Sequence, residues 1–147
     1  MIERAVARYL ASLDLVTIGE TTVGGDVFTG FMPTTPNVAT SIVAYGAGPQ
    51  PTTNPTSLPR VQITCRGTQD DPVGPRERAQ AIFSALACLD GVWLDEGGPD
   101  ETWVIGCTPI QSAPFPLGAD ENGRHEQTCN YEFRIHAPTA HRPPVPA

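Results

Sequence analysis

Hydrophobic and polar positions alternate most cleanly near the end of the chain. In "HEQTCNYEFRIH", His125–His136, the positions Cys129, Tyr131, Phe133 and Ile135 interleave with Asn130, Glu132 and Arg134. A period of two puts one set on each face of a strand, so this segment predicts a long, half-buried strand. "RVQITCR" repeats the pattern, with Val61, Ile63 and Cys65 against Gln62, Thr64 and Arg66. "ATSIVAYGAG" carries Ile42, Val43 and Tyr45, β-branched and aromatic types that suit a pleated surface. "VWLD" predicts a short strand, "TWVIGCTP" a longer one, and "LVTIGE" a short extended segment.

Two segments follow the helical period instead. Ile2, Val6, Tyr9, Leu10 and Leu13 share one face, with Glu3, Arg4 and Arg8 left for the other, which predicts a helix ending near Asp14. Ile82, Phe83, Leu86 and Leu89 form a second apolar stripe. Pro75 suits the first position of that helix, where a missing N–H costs nothing, and Gly91 suits a left-handed cap at its end. The expected fold class is α+β: two helices packed on one face of a mostly antiparallel sheet of four to six strands, with long loops and a Pro-rich C-terminal tail. Residues 1–136 form one domain in this reading, and 137–147, "APTAHRPPVPA", form an extended tail with nothing to bury.

Between these elements lie loops. "TTVGGDVFTG" has a turn signal at Gly24–Gly25, consistent with a small hairpin. Pro33 and Pro36 argue against a central strand in "FMPTTPNV". "PQPTTNPTSLP" has four prolines and no charge, so it reads as an exposed loop.

Composition narrows the function classes. Nine Arg, no Lys and 16 acidic residues leave a net charge of −7. Phosphate backbones are held by basic side chains, so sequence-specific nucleic-acid binding has no support, although a surface past which DNA slides stays compatible. No stretch approaches the roughly 20 apolar residues of a membrane span. Charges at Glu3, Arg4 and Arg8 break the apolar core a signal peptide needs, so the protein is expected to be intracellular when made. Cys65, Cys88, Cys107 and Cys129 are dispersed with no CxxC pair, which favours free thiols acting as small core hydrophobes over a zinc site.

Candidate chemistry is thin. GxGxxG after a strand, GxxxxGK[ST], GxSxG and HExxH are all missing. His125 and His136 fall on opposite faces of one strand, and His141 lies in the tail. The pairs Asp70–Asp71, Asp95–Glu96, Asp100–Glu101 and Asp120–Glu121 border turns, where solvated carboxylates are common. Trp93 and Trp103 sit in strand-like runs and read as core or interface rather than as base-stacking groups. "ADENGRHE" looks at first like a metal or acid–base cluster. Asn122–Gly123 is instead a favoured turn pair, both residues tolerating positive φ, so the segment reads as a hairpin tip. Arg124 is then available to Asp120, Glu121 or Glu126.

The order of features carries a resemblance. "PRVQITCRG" at Pro59–Gly67, a helix opening "PRERAQAIFSAL" at Pro75–Leu86, and the closing block "GADENGRHEQTCNYEFRI" at Gly118–Ile135 together resemble the tail terminator proteins of long, non-contractile-tailed bacteriophages, a group often labelled minor capsid proteins. The first helix and "YGAGPQPTTNPTSLPR" fit as well, so the likeness covers most of residues 1–136. The resemblance implies a non-enzymatic virion protein without cofactor or metal. It also implies a homo-hexameric ring at the tail–neck junction that caps the tail tube, stops its polymerisation and meets the head-completion (stopper) protein, with DNA only passing through the lumen. Six subunits at −7 carry about −42 together, in keeping with a channel to which DNA does not stick.

Candidate contact residues come from the loops: Val23, Gly24, Gly25, Asp26, Val27, Phe28 and Phe31 in one, Pro49, Pro51, Pro55 and Leu58 in another. Arg60, Arg66 and Arg134, on the polar faces of their strands, are candidates for ion pairs between subunits, with solvated surface charge as the plainer account. Two other functions stay open at this point. One is a head-completion protein of the neck; the other is a small ligand-binding or enzymatic domain whose acidic turns converge in one pocket.

Overall fold

The computed structural model describes residues 1–19, 25–46 and 56–136. The long alternating segment forms β8, Arg124–His136, and this 13-residue strand is the spine of the sheet. It is paired along both edges. On one edge lie β3 (Thr56–Ser57) and β4 (Arg60–Gln69), running antiparallel from Thr56 opposite His136 to Gln69 opposite Arg124. On the other lie β6 (Thr102–Pro109) and β7 (Phe115–Ala119), from Trp103 opposite His136 to Ala119 opposite His125. β2 (Ala39–Tyr45) pairs antiparallel with β4, and β1 (Val27–Phe28) runs parallel beside β2. β5 (Asp90–Leu94) closes the far side on β6.

The sheet corrects the expected fold class. Two helices over four to six mostly antiparallel strands is not the arrangement. A curled, mixed sheet of eight strands dominates, with 43% of the described residues in strands and 20% helical. The extra strands lack an alternation signal for physical reasons. β1 and β3 are two residues each. β7 carries Pro116 and a bulge before Gly118, both tolerated because its outer edge is free of the ladder.

The core lies on the face chosen by strand parity. Val61, Ile63 and Cys65 of β4 meet Cys129, Tyr131, Phe133 and Ile135 of β8, with Ile42, Leu94, Val104 and Cys107 beside them. Helix α1 (Ile2–Ser12) adds Ala5, Val6 and Leu10; helix α2 (Val73–Leu86) adds Ala79, Ile82 and Leu86. The Phe83 ring tilts onto Tyr131 at 6.4 Å. Cys65, Cys107 and Cys129 are buried free thiols and Cys88 is an exposed one.

Helix ends follow local chemistry. α1 stops in a Schellman arrangement: Asp14, at φ 59°, donates its N–H to Ala11 O at 3.0 Å, and Leu15 donates to Leu10 O at 3.0 Å. α2 begins two residues ahead of Pro75, because Asp71 Oδ1 accepts the N–H groups of Val73 (3.1 Å) and Gly74 (3.0 Å). It ends at Leu86, so Gly91 is not its cap; that left-handed glycine lies inside β5. The β7–β8 hairpin tip is a turn, as expected, of a different kind. Gly123 N–H bonds to Asp120 O at 3.0 Å and Gly123 alone has positive φ, which makes a type I turn followed by a left-handed glycine.

Candidate functional site

The described candidates fall into two groups at opposite ends of the spine strand. Val23, Gly24, Pro49, Pro51 and Pro55 lie outside the described residues.

The first group surrounds the loop after β1. Thr17 and Asp26 close the preceding loop through Asp26 N–H to Thr17 O (2.9 Å) and Thr17 N–H to Asp26 Oδ1 (2.8 Å), next to Gly25. Asp26 Oδ2 also accepts from Arg78 at 3.3 Å. Val27 and Phe28 are half-buried in β1, whereas Phe31 is 89% exposed. Immediately beyond it, Pro33–Asn37 is tied down by two buried arginines. Arg66 donates to Pro33 O and Pro36 O, both at 2.7 Å, to Asn37 O at 3.0 Å, and at 3.5 Å to Thr34 O. Arg124 donates to Thr34 O and to Asn37 Oδ1 (3.2 Å), while its Nε holds Asp120 Oδ2 at 2.8 Å. Burial first, and then the neighbouring Arg124 charge, lower the Arg66 pKa. The Asp120 carboxylate is held below its usual range, chiefly by the Arg124 backbone N–H, then by that of Asn122 and by the Arg124 guanidinium. Arg66 thus turns its Nε and one terminal nitrogen onto carbonyls of its own chain.

The role of Arg124 as a loop clamp was not legible in the sequence, which gave only its local acidic neighbours. Of the three offered, Asp120 is the one with which it makes a salt bridge.

The second group lies on the outer sheet face, where β3, β6 and β8 meet. Leu58, Ile105, Gly106, Thr108, Glu132 and Arg134 line a cleft of about 250 Å³. Arg60 Nε reaches Glu132 Oε2 at 3.3 Å, and Glu132 lines the cleft together with Leu58 and Arg134. Farther along the same face the Trp93 and Trp103 rings pack at 5.1 Å, tilted by 60°, with Trp93 still 42% exposed. Ile105 and Gly106 escaped notice. The one available signal was a glycine inside the strand-like run "TWVIGCTP", which marks a bulge or a close approach; β6 does slip register between Val104 and Gly106.

The acidic turns serve packing. Asp95 and Asp100 come together, and they dock α1: Arg4 Nε lies 3.2 Å from Asp100 Oδ1 and Arg8 Nε 3.5 Å from Asp95 Oδ2. Asp70 donates its N–H to Gly123 O, joining the end of β4 to the hairpin tip. Among the described residues no group of three His, Cys, Asp or Glu is placed to hold a metal, and no helix is long and apolar enough to cross a membrane. The geometry offers surfaces for contact: a rigidly held loop with a bare phenyl ring at one end, an arginine-rimmed cleft at the other.

Residues 9–136 match the family model described as bacteriophage tail terminator protein. No curated protein and no solved structure matches the chain.

Proposed function

The chain belongs to the bacteriophage tail terminator protein family, and from that membership we propose that it forms the homo-hexameric ring that caps the tail tube. As a member it is a structural protein of the virion that acts with other tail and head proteins. In the proposed role the ring sits on the head-proximal end of the tube, stops further polymerisation and presents the joining surface for the head-completion protein. The observation that carries this reading is the extent of the family match, which runs from within α1 to the end of β8 and so takes in nearly the whole described fold.

Two features of the molecule support it. A subunit of a closed ring needs two different surfaces that fit each other, and the contact candidates form two unlike groups at opposite ends of β8. An acidic chain, at −7 per copy, also suits a lumen that DNA must traverse without adhering.

The test is electron microscopy of lysates of the source phage lacking this protein. Overlong tails beside unjoined, DNA-filled heads are the expected result. Tails of normal length that fail to join heads would move the protein to the head-completion position. Normal particles in normal number would remove it from assembly altogether.

A further inference from the structure

Both tryptophans of the chain stand in one row across the outer face of the sheet. Trp93 of β5 is opposite Trp103 of β6, and Trp103 is opposite His136, the last residue of β8. Their chain neighbours Leu94, Val104 and Ile135 are in the core, so strand parity turns all three outward. The Trp103 ring reaches across β5 to Gly91, where an added Cβ would stand 3.8 Å from it. That close approach and the tilted packing of the two rings fix the pair without covering it: Trp93 remains 42% exposed. Both helices are spent on the core, at the opposite face.

A proline-rich segment starts at the same point. His136 leads directly into 137–147, "APTAHRPPVPA", which lies outside the described residues and beyond the family match. Pro143, Pro144 and Pro146 give it a PxxP run directly behind Arg142. Such a run is preorganised as polyproline II, the form that aromatic-lined surfaces recognise. An indole face is electron-rich, and the proline C–H groups beside the amide nitrogen are electron-poor. Charge agrees with this pairing. In the β5–β6 turn beside the rings, Asp95 and Asp100 are taken by Arg8 and Arg4. Glu96 and Glu101 stay exposed, and among the described residues neither has a salt bridge.

The span decides which copy supplies the segment. Adjacent strands lie about 4.8 Å apart, so Trp93, two strands over, is about 10 Å from His136. The spacer Ala137–Arg142, taken as a flexible chain, covers about 13 Å root-mean-square. A tether whose length matches its span holds the run at about millimolar effective concentration over its own rings, which a separate copy in micromolar solution does not approach.

We propose that Pro143–Pro146 seats on the Trp93–Trp103 pair of its own chain, as a strap across the end of the outer sheet face. The site belongs to the single subunit and stands apart from the ring reading. A partner that binds these rings must first displace the strap.

The experiment is tryptophan fluorescence of the full chain, wild type against a variant carrying Pro143→Ala, Pro144→Ala and Pro146→Ala. The chain has no other tryptophan, so emission reports this site alone. The substitutions lie beyond Ile135, the last core residue of β8, and circular dichroism should be unchanged. The variant should emit further to the red and be quenched more strongly by acrylamide. A synthetic peptide of residues 137–147 should bind the variant at least about tenfold more tightly than the wild type, whose rings a tethered copy already occupies. Equal quenching of the two proteins, or equal affinity for the peptide, overturns the proposal. A wild-type shielding that develops only as protein rises from about 1 to 100 μM also overturns it, assigning the segment to a neighbouring copy.

Discussion

Arg66→Ala is the most informative single change for the fold. Arg66 is 4% exposed, and its guanidinium makes three good hydrogen bonds to backbone carbonyls, at 2.7, 2.7 and 3.0 Å, with a fourth contact at 3.5 Å. Bonds from a charged donor contribute about 1.5–3 kcal/mol each. Two effects reduce the sum. Burying a cation beside Arg124 has its own cost, and the released carbonyls of Pro36 and Asn37 lie on exposed residues that water reaches. A net loss of about 2–4 kcal/mol follows. Arg66→Lys keeps the charge, but a point ammonium does not span carbonyls on four residues, so it should recover less than half of that loss. Urea denaturation at constant m-value reads the magnitude. Limited proteolysis reads the location, with cuts near Pro33–Asn37 appearing in the native alanine variant and not in the wild type. An alanine variant within about 0.5 kcal/mol of wild type, or a lysine variant equal to it, would refute the clamp.

Three further outcomes are expected. Phe133→Ala, at a fully buried position on the spine strand, should cost about 3–5 kcal/mol in chemical denaturation. At pH 8 one thiol per native chain, Cys88, should react with a maleimide: burial pushes Cys65 up to about 11 and Cys107 up to about 12, and raises Cys129. A second fast thiol would mean that the core is open. Asp120 is held below its unfolded pKa of about 3.9, so its contribution is present above that pH and is lost as pH falls through the lower folded value. Asp120→Asn should therefore be less stable than wild type at pH 7 and converge with it below about pH 4; a gap independent of pH would deny the charge a role.

The sequence showed which residues share a face but not what covers that face. β4 and β8 were legible because Val61–Cys65 and Cys129–Ile135 alternate over a core. The same parity put Arg66 among polar, outward residues, and it does point away from the core. It is buried nonetheless, because the loop through Pro33–Asn37 folds over that end of the sheet. Thr64 and Thr128 show the same effect: they sit on the outward side, are buried, and bond each other at 3.1 Å. β7 was hidden by Pro116 and Gly118, and the type of turn at Gly123 was set by Asp120 accepting bonds from Asn122 and Arg124. The cleft depends on register across β3, β6 and β8, information that no single segment holds. Phe31 was accessible as a loop hydrophobe.

Fixing an exposed loop with two buried cations has a consequence for assembly. Ordering a segment at the moment of binding subtracts from affinity, so a loop held rigid beforehand presents its side chain at lower cost. Where Phe31 is a contact in the ring, Arg66 should matter to assembly only through it. A double-mutant cycle separates this from general destabilisation. For folding, Phe31→Ala changes almost nothing, and Arg66→Ala costs the same with or without it. For ring formation, Arg66→Ala weakens assembly when Phe31 is present and adds no further loss in the Phe31→Ala background. If Arg66→Ala weakens both backgrounds equally, the clamp serves some other surface of the subunit and the link from buried arginine to exposed ring is broken.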